Sequence, residues 1–440
     1  MKGTALLLLV LVIVSCGASR GRDHWKLTPE QKKVLTRIEG VLDADSCSNE
    51  RRENCQFLNI KPEPRALPSV SDDVILLLDA QVKIPPLALH RSRVLAHYRV
   101  ADAPDYYVPY EPSVKMPEGA SHILHEVFKG NEEWASSKPF FELGTRFVKK
   151  YGKLMEGEEN LGHGTTSFNI LAELNPSVKF VIVHVDENLH RPPFCELARE
   201  GGIEIFNEYW NQKGEALARI AELYRVRWVN YSMGYDLQNL KRHWHEQCAE
   251  PIPSDTILRA AVLKTNELVR AFEKLPDLLF VQAAAYPSSY LDARAQKDFC
   301  ADCERLSRRL RVGFLNLEED ELPLHYARNL SLLKGSQRNV VPCSDLFVRD
   351  GLIDAMQTTE TPINFTATGF GHGPLNVPGT SYIAPVGLSY AAYWMKKKGF
   401  TPDQLLRSIR GPWDQPLLVA PFRKREFLNQ NRWYVNWYEH

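Results

Sequence analysis

Nearly unbroken apolar runs that alternate with helical patterns are the feature that most limits how this chain can fold. Four such runs occur beyond residue 72, at 74–78, 180–183, 227–230 and 278–281. Helix-like stretches lie between them, at 166–174, 214–224 and 256–275. A strand buried on both faces of a parallel sheet reads as a short apolar run, because helices pack on both faces. The alternation therefore predicts an α/β fold, a doubly wound, mostly parallel sheet with helices on both faces.

The composition is that of a globular protein and gives no support to nucleic-acid binding. Of the 440 residues, 44% are hydrophobic and 25% are charged, which suffices for a sizeable core. Lys and Arg together number 54, as do Asp and Glu, so no overall positive field attracts a nucleic acid. We expect a signal peptide at 1–15, a tether with a small helical segment at 16–70, and one large domain at 71–440. An insertion around 90–150 interrupts the alternation of strands and helices.

The N-terminus predicts export. Lys2 precedes an apolar run at 5–14, which is too short to span a bilayer, where roughly 20 apolar residues are needed, but suits a secretory signal. The run ends in Ile13-Val14-Ser15-Cys16, which resembles the cleavage site of bacterial lipoproteins, a family whose cysteine is acylated after the signal is cut. We therefore expect a lipoprotein of the cell envelope, attached to the membrane through a lipid on Cys16. The alternative is an ordinary signal peptide that contains a cysteine.

Cysteine usage fits an oxidising compartment. The chain has eight cysteines, and seven remain if Cys16 carries a lipid, so at least one thiol has no partner within the chain. Cys47 and Cys55 lie in a polar stretch and are the best candidates for a local disulfide. Cys300 and Cys303 have the spacing of redox and zinc sites, but no second pair of that spacing follows. Disulfides to other cysteines are therefore favoured over a metal there, with the pairing left open.

Three polar residues stand where apolar runs end or helical patterns begin. Asp79 directly follows the run at 74–78, His163 lies between two glycines ahead of a helical pattern, and Ser381 precedes the apolar stretch 386–394. In an open parallel sheet, functional side chains lie beyond the carboxyl ends of the strands, where these positions are expected. A carboxylate, an imidazole and a hydroxyl are the groups of nucleophilic catalysis. Taken singly, the three residues also suit an ordinary turn, a structural histidine and a helix N-cap.

The order and contexts of these residues resemble the subtilisin-like serine proteases. The first motif is an Asp at a strand end. The second is Gly-His-Gly-Thr and the third is Gly-Thr-Ser-x-x-x-Pro, and we expect a helix to begin at each of these two. Between them, 229–234 resembles the family's strand that ends in Asn-x-Ser-x-Gly, and 281–285 resembles the small-residue strand before the family's oxyanion asparagine. The resemblance runs from about residue 72 to about 411, most of the chain.

The resemblance implies a secreted serine endopeptidase of subtilisin-like fold. Ser381 would attack the scissile carbonyl, His163 would act as general base, and Asp79 would orient His163. Ser232, Met233 and Gly234 would form an edge along which a peptide or protein substrate binds as an extended strand. We expect no cofactor and assign no metal ligand.

Three departures from the family pattern bear on this expectation. The first motif reads Asp79-Ala80-Gln81-Val82 where the family has Asp-Thr/Ser-Gly, and 84 residues separate Asp79 from His163, which fits the insertion. The third departure is the most serious. Ala285-Tyr286-Pro287 replaces Ala-Gly-Asn, so the side-chain oxyanion donor is absent from its expected place; Tyr286, Ser288 or an insertion residue are candidate substitutes. The alternative function is therefore a catalytically impaired protein that binds peptides or a protein partner in the envelope.

Two further groups of His, Asp and Glu residues are candidate metal ligands. Neither has the His-Glu-x-x-His spacing of zinc proteases. We therefore expect surface or structural roles for both groups, which are His184 with Asp186, Glu187 and His190, and His243 with His245 and Glu246.

Overall fold

The computed structural model describes residues 27–60, 67–80, 93–128, 163–175, 177–185, 191–284, 304–315, 344–349, 380–410 and 417–418, with scattered positions in 143–154. The strands are β1 Phe57–Ile60, β2 Val74–Asp79, β3 Val94–Val100, β4 Tyr107–Pro109, β5 Val114–Pro117, β6 Lys179–His184, β7 Trp228–Tyr231, β8 Leu279–Ala283, β9 Arg309–Leu315, β10 Leu346–Arg349 and β11 Leu417–Leu418. The α-helices are α1 Pro29–Ala44, α2 Glu118–Phe128, α3 His163–Leu174, α4 Arg191–Cys195, α5 Gly202–Leu223, α6 Leu237–Gln247, α7 Asp255–Lys264, α8 Asn266–Arg270, α9 Thr380–Lys398 and α10 Pro402–Arg410.

A nine-stranded sheet organises the large domain. Its strand order is β11-β10-β9-β8-β7-β2-β6-β3-β4. All neighbours are parallel except β3 and β4, which pair antiparallel at one edge. The predicted α/β class with a mostly parallel sheet is confirmed.

Helices cover both faces of this sheet, as predicted. Ile75 and Leu77 of β2 face a core shared with α3, α9 and α10. Val74, Leu76 and Leu78 face a second core shared with α5, α6, α7 and α8. All six residues of β2 are buried, which explains why this strand reads as an unbroken apolar run that ends in an aspartate.

The strand order reverses beside β2. After β2 the chain builds β3 and β6 on one side of it, and β7, β8, β9 and β10 then extend the sheet on the other side. In open α/β sheets, ligands bind beyond the carboxyl ends of the strands at such a reversal, because the connections leave a crevice there. Asp79, the last residue of β2, lies at this point.

A second, smaller core is formed by two segments that lie far apart in the sequence. The helix predicted at Thr28 is α1, and its cap is the Thr28 side chain, which accepts from the backbone N–H of Gln31. Apolar residues of α1 pack with residues of α2 and with Phe147 and Tyr151, and β1 pairs antiparallel with β5. The N-terminal segment therefore packs against the segment in which we expected an insertion.

Two disulfides are present in the described part of the chain. Cys47–Cys55, in the small core, confirms the predicted local pair. Cys195–Cys248 joins the end of α4 to the residue after α6 and had not been predicted. Cys16, Cys300, Cys303 and Cys343 lie outside the described residues. None of the described helices is long and apolar enough to cross a membrane.

Candidate active site

Asp79 is a buried carboxylate held by backbone and side-chain contacts. Its side chain has no solvent exposure, and its Oδ1 accepts from the Ala80 backbone N–H at 2.8 Å. Its carbonyl accepts from the backbone N–H of Val185 at 2.9 Å, which fixes the end of β2 against the residue after β6. Among the described residues, Oδ2 has no hydrogen-bond partner. The carboxylate is thus fixed in place, with one oxygen committed and the other still able to accept.

His163 is the partner of Asp79. Its Nδ1 lies 2.5 Å from Asp79 Oδ1, and its side chain is 28% exposed. An ionised Asp79 carboxylate can only accept hydrogen bonds, which would place the shared proton on Nδ1. This assignment makes Nε2 the nitrogen that can accept a proton. Gly164, the next residue of α3, donates its backbone N–H to the Ala80 carbonyl at 2.9 Å, so β2 holds the start of the helix as well as the ring.

Ser381 is the second residue of α9 and is partly buried. Helix α9 packs against α3 and lies close to β9, where a Cβ at Gly387 would meet Val312 at 2.6 Å. Pro385 lies in the first turns of α9 and has no N–H for the Ser381 carbonyl four residues earlier. Within the described residues, no hydrogen bond joins Ser381 to His163. The structure therefore brings Asp79 and His163 into contact and places the helix of Ser381 beside the helix of His163.

The segment Ser232-Met233-Gly234 continues directly from β7. Ser232 is buried, whereas Met233 and Gly234 are half-buried. Gln282 of β8 donates to the Met233 carbonyl at 3.1 Å. Two residues further on, Asp236 caps α6 by accepting from the backbone N–H of Asn239 at 2.7 Å, and burial raises the pKa of its carboxyl group. The segment is therefore held at both ends next to the carboxyl edge of the sheet.

Sequence reasoning did not identify Ser167 or Gln282 as part of this site, and it included Asn230 only as the first residue of the Asn-x-Ser-x-Gly motif, without a role. Ser167 lies one turn into α3, where its hydroxyl is 3.2 Å from the His163 carbonyl and 3.4 Å from Ser232 Oγ. Asn230 Nδ2 donates to Ser232 Oγ at 2.8 Å. The sequence feature that could have revealed them is a polar residue at a core position. Ser167 lies four residues after His163, and Asn230 and Gln282 lie inside otherwise mostly apolar strands.

Two expectations lie partly or wholly outside the described residues. The departure at Ala285-Tyr286-Pro287, with its candidate substitute Ser288, lies wholly outside them. Of the histidine groups, His243 lies 3.6 Å from the Glu246 carboxylate, whereas 186–190 is not described. Within the described ranges, no group of three or more His, Cys, Asp or Glu side chains is placed to hold a metal ion.

No protein-family model matches the chain, and no curated protein matches it.

Proposed function

We propose that the protein is a serine endopeptidase with a subtilisin-like domain, in which Ser381, His163 and Asp79 are the catalytic residues. The observation that carries the proposal is the contact of 2.5 Å between His163 Nδ1 and the buried Asp79, at the reversal of strand order. A carboxylate buried at the end of a strand and paired with a partly exposed imidazole is an arrangement that a general base requires.

In the proposed mechanism, the Ser381 hydroxyl attacks the scissile carbonyl and its proton passes to His163 Nε2. The bond from Nδ1–H to Asp79 keeps the ring in the tautomer that can accept this proton, and the carboxylate stabilises the imidazolium that forms. Collapse of the tetrahedral intermediate expels the leaving amine, which takes the proton from His163. Water then hydrolyses the acyl-enzyme by the same steps. The mechanism requires a hydrogen bond between Ser381 and His163, which we expect to form when substrate binds, because catalytic hydrogen bonds are often long or poorly aligned without substrate.

The oxyanion of this intermediate needs donors. The first backbone N–H groups of a helix have no partner within the helix and lie at the positive end of its dipole, and the Ser381 N–H is one of them. If no side chain replaces the donor that the family has in place of Tyr286-Pro287, kcat should be lower by about 10²–10³-fold, the effect of removing this donor in subtilisin itself. We therefore expect a slow protease.

The substrate would be a peptide or protein chain that binds as an extended strand along Ser232-Met233-Gly234, by backbone hydrogen bonds. The half-buried Met233 and Gly234 support this role, because backbone that is buried completely cannot pair with another chain. Export and a lipid on Cys16 would place the reaction at the cell envelope.

Labelling with a fluorophosphonate probe tests the proposal, because this reagent reacts with activated serines. We expect the folded protein to be labelled and Ser381→Ala not to be labelled, with circular dichroism showing that both are folded. A folded protein that is not labelled would exclude the hydrolase.

The second candidate is a protein of the same fold that binds peptides without cutting them. The replacement of the oxyanion asparagine at Tyr286-Pro287 favours it. This candidate predicts no labelling, together with saturable binding of extended peptides that is lost when Gly234→Pro blocks strand pairing.

A further inference from the structure

Two neighbouring strands hold the first turn of α3. Strand β2 holds it through the Asp79–His163 contact and through the Gly164 N–H, which donates to Ala80. Strand β7 is the neighbour of β2 in the sheet and leads into Ser232, which lies 3.4 Å from Ser167 Oγ. The contacts with β2 fix the position of the His163 ring relative to the Asp79 carboxylate. They do not fix its position relative to the segment after β7.

A buried chain of polar groups makes the connection to β7. Asn230 Nδ2 donates to Ser232 Oγ at 2.8 Å, and the Ser167 hydroxyl has both Ser232 Oγ and the His163 carbonyl within reach. Ser167 and Asn230 have no solvent exposure, and Ser232 is 1% exposed. Water therefore cannot replace a lost partner, and each hydroxyl orientation depends on its neighbour.

We infer that Ser167 is a positioning residue that sets His163 relative to the substrate-binding segment Ser232-Met233-Gly234. The inference rests on the proposed function. A general base must lie within hydrogen-bond reach of the nucleophile while the substrate is held in place, and an error of about 1 Å can cost 10²-fold in rate. Ser167 is the described residue of α3 whose side chain touches both the backbone of His163 and a residue of that segment.

Ser389 provides a matched control on the helix that packs against α3. It is fully buried, its hydroxyl donates to the Pro385 carbonyl at 2.8 Å, and it accepts from Asn175 Nδ2 at 2.7 Å. Asn175 directly follows the last residue of α3, about 18 Å along the helix axis from His163. Ser389→Ala and Ser167→Ala therefore both remove a buried hydroxyl that takes part in a contact of α3 or of the residue after it, at opposite ends of the helix.

The experiment measures inactivation by a fluorophosphonate probe and separates the maximal rate, kinact, from the half-saturating concentration, KI. Ser167→Ala should lower kinact about 10-fold with KI unchanged, whereas Ser389→Ala should leave both unchanged. The pH at which kinact is half-maximal should stay the same in Ser167→Ala, because the Asp79–His163 contact remains. Thermal unfolding should show a similar loss of stability in both variants.

The double variant Ser167→Ala/Ser232→Ala tests whether the hydroxyls act as a unit. If they do, its kinact should be close to that of the worse single variant rather than the product of the two effects. Equal kinact in Ser167→Ala and the unsubstituted protein would overturn the inference while leaving the proposed function intact. Equal losses in Ser167→Ala and Ser389→Ala would also overturn it. An unsubstituted protein that is not labelled would overturn the proposed function, and the inference with it.

Discussion

The two ends of α3 use buried polar groups in different ways. At the N-terminal end, a partly exposed His163 meets a buried carboxylate and leaves one carboxylate oxygen without a partner among the described residues. At the C-terminal end, Arg93 donates to the carbonyls of Asn175 at 2.6 Å and Ala172 at 2.7 Å, and Asn175 also binds Ser389. The C-terminal contacts satisfy the last carbonyls of a helix, as stability requires. The N-terminal contacts keep acceptor capacity and exposure, which stability alone does not require.

Removing the charge at the N-terminal end should have the largest effect. Asp79→Asn keeps the size of the side chain but presents an N–H to the ring, which favours the wrong tautomer of His163. We expect the rate of fluorophosphonate labelling to fall by about 10⁴-fold, the effect on kcat of the equivalent change in a known serine protease. Circular dichroism should show a folded protein. Labelling within 10-fold of the unsubstituted protein would show that Asp79 does not orient a catalytic base.

Removing the cation at the C-terminal end should affect stability instead. Arg93→Met leaves the carbonyls of Ala172 and Asn175 without their charged donor. We expect the free energy of unfolding to fall by about 4 kcal/mol, measured by urea titration. Labelling per folded molecule should be unchanged below the unfolding transition. A large loss of labelling in fully folded Arg93→Met would mean that the two ends are not independent.

His97 contrasts with His163, because its Nδ1 has no hydrogen-bond partner within the described residues. It is buried in β3, and this burial lowers its pKa from 6.5 to about 4. The unfolded chain therefore takes up a proton at His97 below about pH 6.5, whereas the folded protein does not until about pH 4. The free energy of unfolding should therefore fall by about 3 kcal/mol as the pH is lowered from about 6.5 to about 4. Urea titrations across this range should show a smaller decrease in His97→Gln, and the same decrease in both proteins would refute the assignment.

The smallest effect is expected in the second core. Replacing Cys47 and Cys55 together by serine opens a loop with a sequence separation of 8 residues, for which chain entropy predicts a loss of about 2.5 kcal/mol. The loss should appear in the unfolding of the small core and leave labelling unchanged. A matched Cys195→Ser/Cys248→Ser variant, with a separation of 53, should lose about 4 kcal/mol by the same relation. A fall in labelling in the folded Cys47→Ser/Cys55→Ser variant would show that the small core supports the candidate active site.

The central strands could be predicted from the sequence because their side chains are apolar on both faces. The runs at 74–78, 180–183, 227–230 and 278–281 correspond to β2, β6, β7 and β8. β9 was missed because it carries two arginines on one face. Arg309 is fully buried there and donates to Asn266 Oδ1 at 2.6 Å, a contact that no local pattern reveals. The helix expected over 256–275 is divided near Thr265 into α7, α8 and a short 3₁₀ turn.

Only part of the candidate site could be predicted from the sequence. Asp79 and His163 stand at a strand end and a helix start, positions that periodicity marks, and their contact follows from the sheet edge they share. The Ser167–Ser232 contact could not be found in this way, because it joins residues 65 positions apart whose approach depends on how α3 packs on β7.

The small core also sets an order of events during synthesis. Residues 29–60 leave the ribosome before 114–151, and at about 5–20 residues per second the delay is several seconds. During that time the apolar side of α1 and the paired edge of β1 have no partner within the chain. Chaperones that bind nascent chains could therefore meet this segment before its partners are made, and a shortened chain that begins after it would leave β5 without the strand that pairs with it and α2 without the contacts of α1.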